Sequence, residues 1–132
     1  MAFVFRQKVL FKHCDPVGIV FYPRYFEMIN DCIETYFDAE LNAPFETIHK
    51  DGAVPTVEIS AKFLAPSRHG DRLEIKLSCI NIGRTSLTLN LHATCEDQTR
   101  FTAVSTLVHV NKTGRPEPWP DALLCSIKDN NK

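Results

Sequence analysis

The sequence predicts an α+β domain in which one long amphipathic helix lies against an antiparallel sheet. Three observations carry that prediction: one helical-period apolar stripe between residues 23 and 40, four successive stretches of period-two alternation after residue 56, and short turn-forming segments between those stretches. One domain is expected over residues 1–132, long enough to bury its own core. Fifteen basic and sixteen acidic residues leave a net charge of -1, which argues against a nucleic-acid or anionic-membrane partner.

The first strand is expected where Phe3-Val4-Phe5-Arg6-Gln7-Lys8-Val9-Leu10-Phe11 roughly alternates, and His13, on the parity of Val9 and Phe11, is expected to face inward. Asp15-Pro16-Val17-Gly18 is turn chemistry: Asp accepts local backbone hydrogen bonds, Pro sets φ and Gly permits positive φ. The run Ile19-Val20-Phe21-Tyr22 is too apolar for an ordinary surface turn and predicts a loop packed against something. Pro23 suits a helix start, where no N–H donor is needed. Tyr25, Phe26, Ile29, Ile33, Tyr36 and Phe37 then form the stripe, to about Glu40, with Glu27, Asp31, Glu34 and Asp38 on the solvated side. Asn42, Pro44 and Gly52 break this pattern, so residues 41–53 read as a connection with at most one helical turn.

Four strands follow. Val57, Ile59, Ala61, Phe63 and Ala65 share one parity; Leu73, Ile75, Leu77 and Cys79 share the next; Leu87, Leu89, Leu91, Ala93 and Cys95 the third; residues 100–111 are richer in apolar side chains. Residues 66–71, 83–86 and 96–98 are the turns, and their shortness implies that the strands they join are antiparallel neighbours. The helix is expected to cover the apolar face along its whole length. Residues 114–120 hold three prolines and cannot form a central strand, whereas residues 121–128 suit a short helix.

The chemistry concentrates between His13 and Phe26. A carboxylate on Asp15 stands a few residues from the free N–H groups of a helix start, which can polarise a carbonyl while the acid attacks it or activates water. Those are the parts acyl transfer needs. Five cysteines, Cys14, Cys32, Cys79, Cys95 and Cys125, show no Cys-x-x-Cys pairing and read as reduced thiols. Cys14 adjoins His13, but neighbours on an extended chain point to opposite sides, so no thiol–imidazole pair is expected. The five histidines, at 13, 49, 69, 92 and 109, lack metal-ligand spacing, and no metal is expected. The N-terminus shows no signal-peptide pattern and no apolar run approaches membrane-spanning length, so a cytoplasmic location is expected.

Asp15-Pro16-x-Gly18-Ile19-Val20-Phe21-Tyr22-Pro23-x-Tyr25 resembles the signature of the hotdog-fold acyl-CoA thioesterases, in the 4-hydroxybenzoyl-CoA thioesterase subfamily. The resemblance extends over residues 3–112 and leaves the tail, residues 113–132, outside. It implies a five-stranded sheet wrapped around the helix and hydrolysis of an acyl-CoA, with no metal or prosthetic group and with CoA as part of the substrate. It implies that Asp15 is the catalytic carboxylate, as nucleophile or general base, and that the Tyr22 backbone N–H activates the thioester carbonyl. Gly83-Arg84-Thr85-Ser86 is similar to the family's nucleotide-contacting turn, which nominates Arg84, Thr85 and Ser86, with Lys112 and Arg115 as further cations for CoA phosphate.

Asn30, Thr56 and Ser60 are the candidate lining groups. In the subfamily a helix carboxylate recognises the phenol of the acyl group; by spacing from Asp15 that place falls to Asn30, and Asp31 lies 100° further around the helix. The resemblance therefore does not imply 4-hydroxybenzoyl specificity. In some relatives of the fold a helix glutamate is the base, which makes Glu27 and Glu34 reserves. A homo-oligomer is implied, a dimer with shared sites paired into a tetramer. Two rival classes are a non-catalytic acyl-CoA or acyl-carrier binding protein and a thioester hydratase or dehydratase. The hydratase branch places a His five residues after an Asp, and none of the five histidines here has that partner.

Overall fold

Alternation and helical period are both realised. Along the chain run β1 (Phe3–Lys8), a 3₁₀ turn (Phe11–His13), α1 (Tyr22–Ala39), α2 (Phe45–Ile48), β2 (Gly52–Ala53), β3 (Thr56–Phe63), β4 (Arg72–Ile82), β5 (Ser86–Cys95), β6 (Gln98–Val108), β7 (Val110–Asn111) and α3 (Asp121–Asn130). This computed structural model describes residues 2–131; Met1 and Lys132, the two ends of the expected domain, lie outside the described residues. Five strands form one antiparallel sheet in the order β1-β4-β5-β6-β3, and β2 pairs separately with β7.

The buried face of α1 (Tyr25, Met28, Ile29, Cys32, Ile33, Tyr36, Phe37) packs with alternate residues of the sheet, among them Leu73, Ile75 and Leu77 of β4, Leu87, Leu89 and Leu91 of β5, and Phe101 and Leu107 of β6. Each large side chain taken fully out of water in this way contributes about 1.5–3 kcal/mol. The acidic side, Glu27, Asp31, Glu34 and Asp38, stays exposed. The tail is not an appendage. Trp119, Leu123 and Ile127 are buried in the same core, and the Asn130 side chain donates to the Glu40 carbonyl at 2.9 Å.

Three expectations are corrected. β1 stops at Lys8, because the chain tightens into the 3₁₀ turn; that turn sends Phe11 outward (81% exposed) while His13 is buried. β3 and β4 are not neighbours: β3 pairs with β6 at one edge, while β4 sits between β1 and β5, so residues 66–71 are a crossover around the end of the sheet and not a hairpin. Finally, the helix does not cover the whole apolar face. No residue of β3 is buried, and Val57, Ile59 and Phe63 are 59, 39 and 43% exposed. Helix and edge strand meet at the Phe63 end, where the Tyr25 ring stacks on Phe63 at 5.4 Å.

Candidate active site

The acid loop folds as a miniature hairpin. Cys14 bridges Val20, the Asp15 N–H donates to the Ile19 carbonyl (2.9 Å), and the Phe21 N–H donates to the His13 carbonyl (2.9 Å). The turn closes with the Gly18 N–H on the Asp15 carbonyl (2.9 Å), at a Gly18 φ of 92° that only glycine adopts without strain. Asp15 Oδ1 accepts the Val17 N–H at 2.9 Å, so the carboxylate builds the turn that orients it. The turn role that the sequence gives Asp15 is thus made by its own side chain.

The hairpin runs straight into α1. The Arg24 N–H donates back to the Phe21 carbonyl (2.8 Å), Pro23 has no N–H, and among the described residues the Tyr22 N–H has no backbone acceptor. It is one of the unpaired donors at the positive end of a helix. The Tyr22 side chain is exposed and packs near Phe63, with ring centroids 6.0 Å apart. Of the apolar run, Val20 is buried while Phe21 and Tyr22 remain exposed, so the packing expected for this loop is made only in part within one chain.

His13 supports the loop from behind. Its Nδ1 accepts the Leu10 N–H at 2.8 Å, and burial, aided by Lys12, holds the imidazole below its ordinary pKa. A neutral ring protonated at Nε2 satisfies that bond. The Cys14 thiol turns to the Leu10 carbonyl (3.7 Å) and not to the imidazole, in keeping with the expected absence of a pair. Beside the loop a cavity of ≈ 280 Å³ is lined by Val20, Tyr22, Tyr25, Phe63, Leu64 and Pro66 among others. A larger one, ≈ 570 Å³, opens between α2 and α3 and contains none of the expected site residues.

The remaining candidates lie elsewhere. Arg84, Thr85, Ser86, Lys112 and Arg115 gather at one end of the sheet: the Thr85 carbonyl accepts the His109 N–H (2.8 Å), the Arg84 carbonyl accepts the Trp119 N–H (3.2 Å) and the Asn111 N–H donates to the Arg115 carbonyl (2.9 Å). The three cations are exposed. Thr56 belongs to this end too, through its pairing with Leu107 opposite Leu87. The acid loop lies at the other end, where residues 9, 20 and 19 meet the crossover at residues 70–71, 67 and 68. β5 spans nearly the whole separation, roughly 30 Å at about 3.3 Å per residue. Ser60 pairs with Val104 and opens on the sheet face away from α1, beside Lys62, Asn90 and Thr102. Asn30 is exposed about two turns into α1. One chain thus brings together Asp15 and Tyr22 on the one hand and the Arg84 turn and the tail on the other, but not the two groups.

Sequence reasoning passed over Tyr25 as a lining residue and the group formed by Arg100, Asp71 and Ser67. Arg100 Nη1 lies 2.7 Å from Asp71 Oδ2, 3.1 Å from Ser67 Oγ and 3.2 Å from the Pro66 carbonyl. The one available signal was a charged residue immediately preceding the buried Phe101. Among the described residues no group of three or more His, Cys, Asp or Glu side chains is placed to hold a metal ion, and no helix is long and apolar enough to cross a membrane.

The chain is similar to the 1,4-dihydroxy-2-naphthoyl-CoA hydrolase of Synechocystis, with 23% identity over 96% of each chain. Its fold superposes on the crystal structure of a 1,4-dihydroxy-2-naphthoyl-CoA thioesterase from Synechocystis with a TM-score of 0.91, 21% identity and coverage of 100 and 99% of the two chains. A gentisyl-coenzyme A thioesterase gives a TM-score of 0.86 at 26% identity over 94 and 98%. A Staphylococcus aureus protein characterised in complex with CoA gives 0.91 at 18% identity over 100 and 86%. Residues 9–127 match the thioesterase-like superfamily as a family, and with the helix-on-sheet architecture this settles the class: the chain belongs to that superfamily and is a hotdog-fold thioesterase.

Proposed function

We propose that the protein hydrolyses an acyl-CoA thioester to the free acid and CoA, with Asp15 as the reacting carboxylate and the Tyr22 N–H as the donor to the thioester oxygen. The observation that carries this reading is the direct run from the turn built by Asp15 into a helix whose first N–H is unpaired. Asp15 either draws a proton from the attacking water or itself attacks the carbonyl carbon. In both cases the C–S bond then breaks, and the CoA thiolate leaves and takes up a proton; after direct attack, water opens the mixed anhydride formed with Asp15, which releases the free acid and restores the carboxylate. The oxyanion that develops meanwhile is stabilised by the helix-start donor, which needs no reorganisation to serve it.

The aromatic walls of the adjoining cavity, Tyr22, Tyr25 and Phe63, favour a flat aromatic acyl group, and the hydroxyaryl acyl groups named for the Synechocystis and gentisyl-CoA relatives support that choice. The roughly 30 Å between the acid loop and the Arg84 turn argues for a site shared between two copies. Antiparallel pairing of the exposed β3 edges about a two-fold axis sets the Thr56 end of one chain beside the Phe63 end of the other, carrying the second chain's Arg84, Lys112 and Arg115 toward the first chain's Asp15. Two such dimers would form the tetramer, and five free thiols suit a reducing cytoplasmic compartment.

The test is a panel of aliphatic, aromatic and hydroxyaromatic acyl-CoAs assayed for thiol release by the wild type and by Asp15→Asn. Aromatic substrates are expected to turn over fastest, with kcat falling on the order of 10²-fold or more in the variant. Tight CoA-ester binding without turnover would instead support a binding protein.

A further inference from the structure

Arg100 is buried at 7% exposure, although charged residues almost never are. The cause is a β-bulge. Ala93 faces Phe101 and Thr94 faces Thr99, so Arg100 is the extra residue of β6 with no partner on β5. A bulge re-aims a side chain, and here it turns the guanidinium beneath the crossover that carries the chain from β3 to β4. Main chain and side chain then grip the same segment. The Arg100 carbonyl accepts the Leu64 and Ala65 N–H groups (2.9 and 3.3 Å), while Nη1 reaches the Pro66 carbonyl, Ser67 Oγ and Asp71 Oδ2.

The crossover in turn holds the acid loop. The Ser67 carbonyl accepts the Val20 N–H at 2.8 Å, Arg68 bridges Ile19, and the Ile19 carbonyl accepts the Asp15 N–H. Three links therefore run from the guanidinium to the Asp15 backbone. A second branch reaches the helix: Tyr25, on the first turn of α1 after Tyr22, buries its hydroxyl among Ser67, Arg100 and Asp71. Burying an ion pair is a poor way to gain stability, since the cost of desolvation offsets the attraction. Fixing one geometry is a better reason for it, because a displacement of about 1 Å at reacting groups can cost 10²-fold in rate.

We propose that Arg100 is a positioning residue, which through Asp71 and Ser67 sets the place of the Asp15 loop relative to the Tyr22 helix start. This rests on the reading of Asp15 as the reacting carboxylate. Arg100→Met, which keeps the length of the side chain without its donors, should lower kcat about 10- to 100-fold with KM within about threefold. Arg100→Lys, which retains a cationic donor, should recover part of that loss. Ile127→Val, a conservative change in the buried tail helix, should leave kcat unchanged and so separates positioning from general loss of stability. In the wild type the Val20 amide should exchange with deuterium as slowly as those of the central strands.

Unchanged kcat in Arg100→Met alongside an inactive Asp15→Asn would leave the thioesterase reading standing and overturn the role of Arg100. Full turnover by Asp15→Asn would remove the premise itself. Equal kcat losses in Ile127→Val and Arg100→Met, or rapid exchange of the wild-type Val20 amide whatever the folding of the variants, would also overturn it.

Discussion

Trp119 donates its indole N–H to the carbonyl of Ser86 at 3.0 Å, so the C-terminal tail braces the turn that bears Arg84. The indole also stacks on His109 at 5.2 Å, and His109 Nδ1 is held to the Glu117 carbonyl at 3.0 Å. These bonds join the β6–β7 junction, the start of β5 and the tail into one unit at the end of the sheet remote from Asp15. Trp119→Ala should destabilise the protein by about 3–5 kcal/mol, as for other buried aromatics. Trp119→Phe, which loses mainly the hydrogen bond, should cost about 1 kcal/mol. Urea unfolding monitored by circular dichroism checks both, and a Trp119→Phe variant as stable as the wild type would deny the indole N–H any part.

Arg84 is exposed at that braced turn. If it holds CoA phosphate, Arg84→Ala should raise KM with little change in kcat, since phosphate contacts are alike in ground and transition states. The difference from wild type should shrink as salt is added. A fall in kcat at constant KM would place Arg84 at the chemistry instead.

A shared site predicts complementation. Asp15→Asn and Arg84→Ala chains, each impaired alone, should regain activity at low substrate when subunits are exchanged, because one of the two mixed sites pairs an intact Asp15 with an intact Arg84. Ile59→Lys, on the exposed β3 edge, should abolish that recovery and give monomers in light scattering. Full activity from a wild-type monomer would exclude the arrangement.

Acid should loosen the crossover. Burial raises the pKa of Asp71, but the Arg100 hydrogen bond and the Arg68 N–H outweigh it and leave the carboxyl below its ordinary value. A depressed folded pKa contributes stability that is present above the unfolded value of about 3.9 and is lost as pH falls through the folded one. Wild type should therefore lose more stability than Asp71→Asn between about pH 5 and the acid limit. Parallel pH–stability curves for the two would show that the carboxylate contributes nothing.

The β5–β6 hairpin offers a stabilising change. Glu96 and Asp97 both occupy the left-handed region, at φ 52 and 64°, in a two-residue loop that favours Asn-Gly. Glu96→Asn with Asp97→Gly should raise stability by about 1 kcal/mol, seen as a Tm higher by a few degrees with unchanged turnover. A lower Tm would mean that the two acidic side chains do more for the hairpin than their backbone strain costs.

The sequence by itself determined the elements and the motif. Period-two runs marked β3 to β6, a helical stripe marked α1, and Asp15, Gly18 and Pro23 marked a turn opening into a helix, because side-chain alternation and turn chemistry are local properties of the chain. Only the tertiary structure decided which strands adjoin. Residues 66–71 are as short as a hairpin loop, yet they form a crossover, and the ion pair between buried Arg100 and half-buried Asp71 that pins it joins residues far apart in the chain. Tertiary structure alone likewise set Asp15 and Arg84 at opposite ends of the sheet and left the apolar side chains of β3 exposed, since pairing order and burial are settled by contacts across the whole domain and not by the pattern within any one strand.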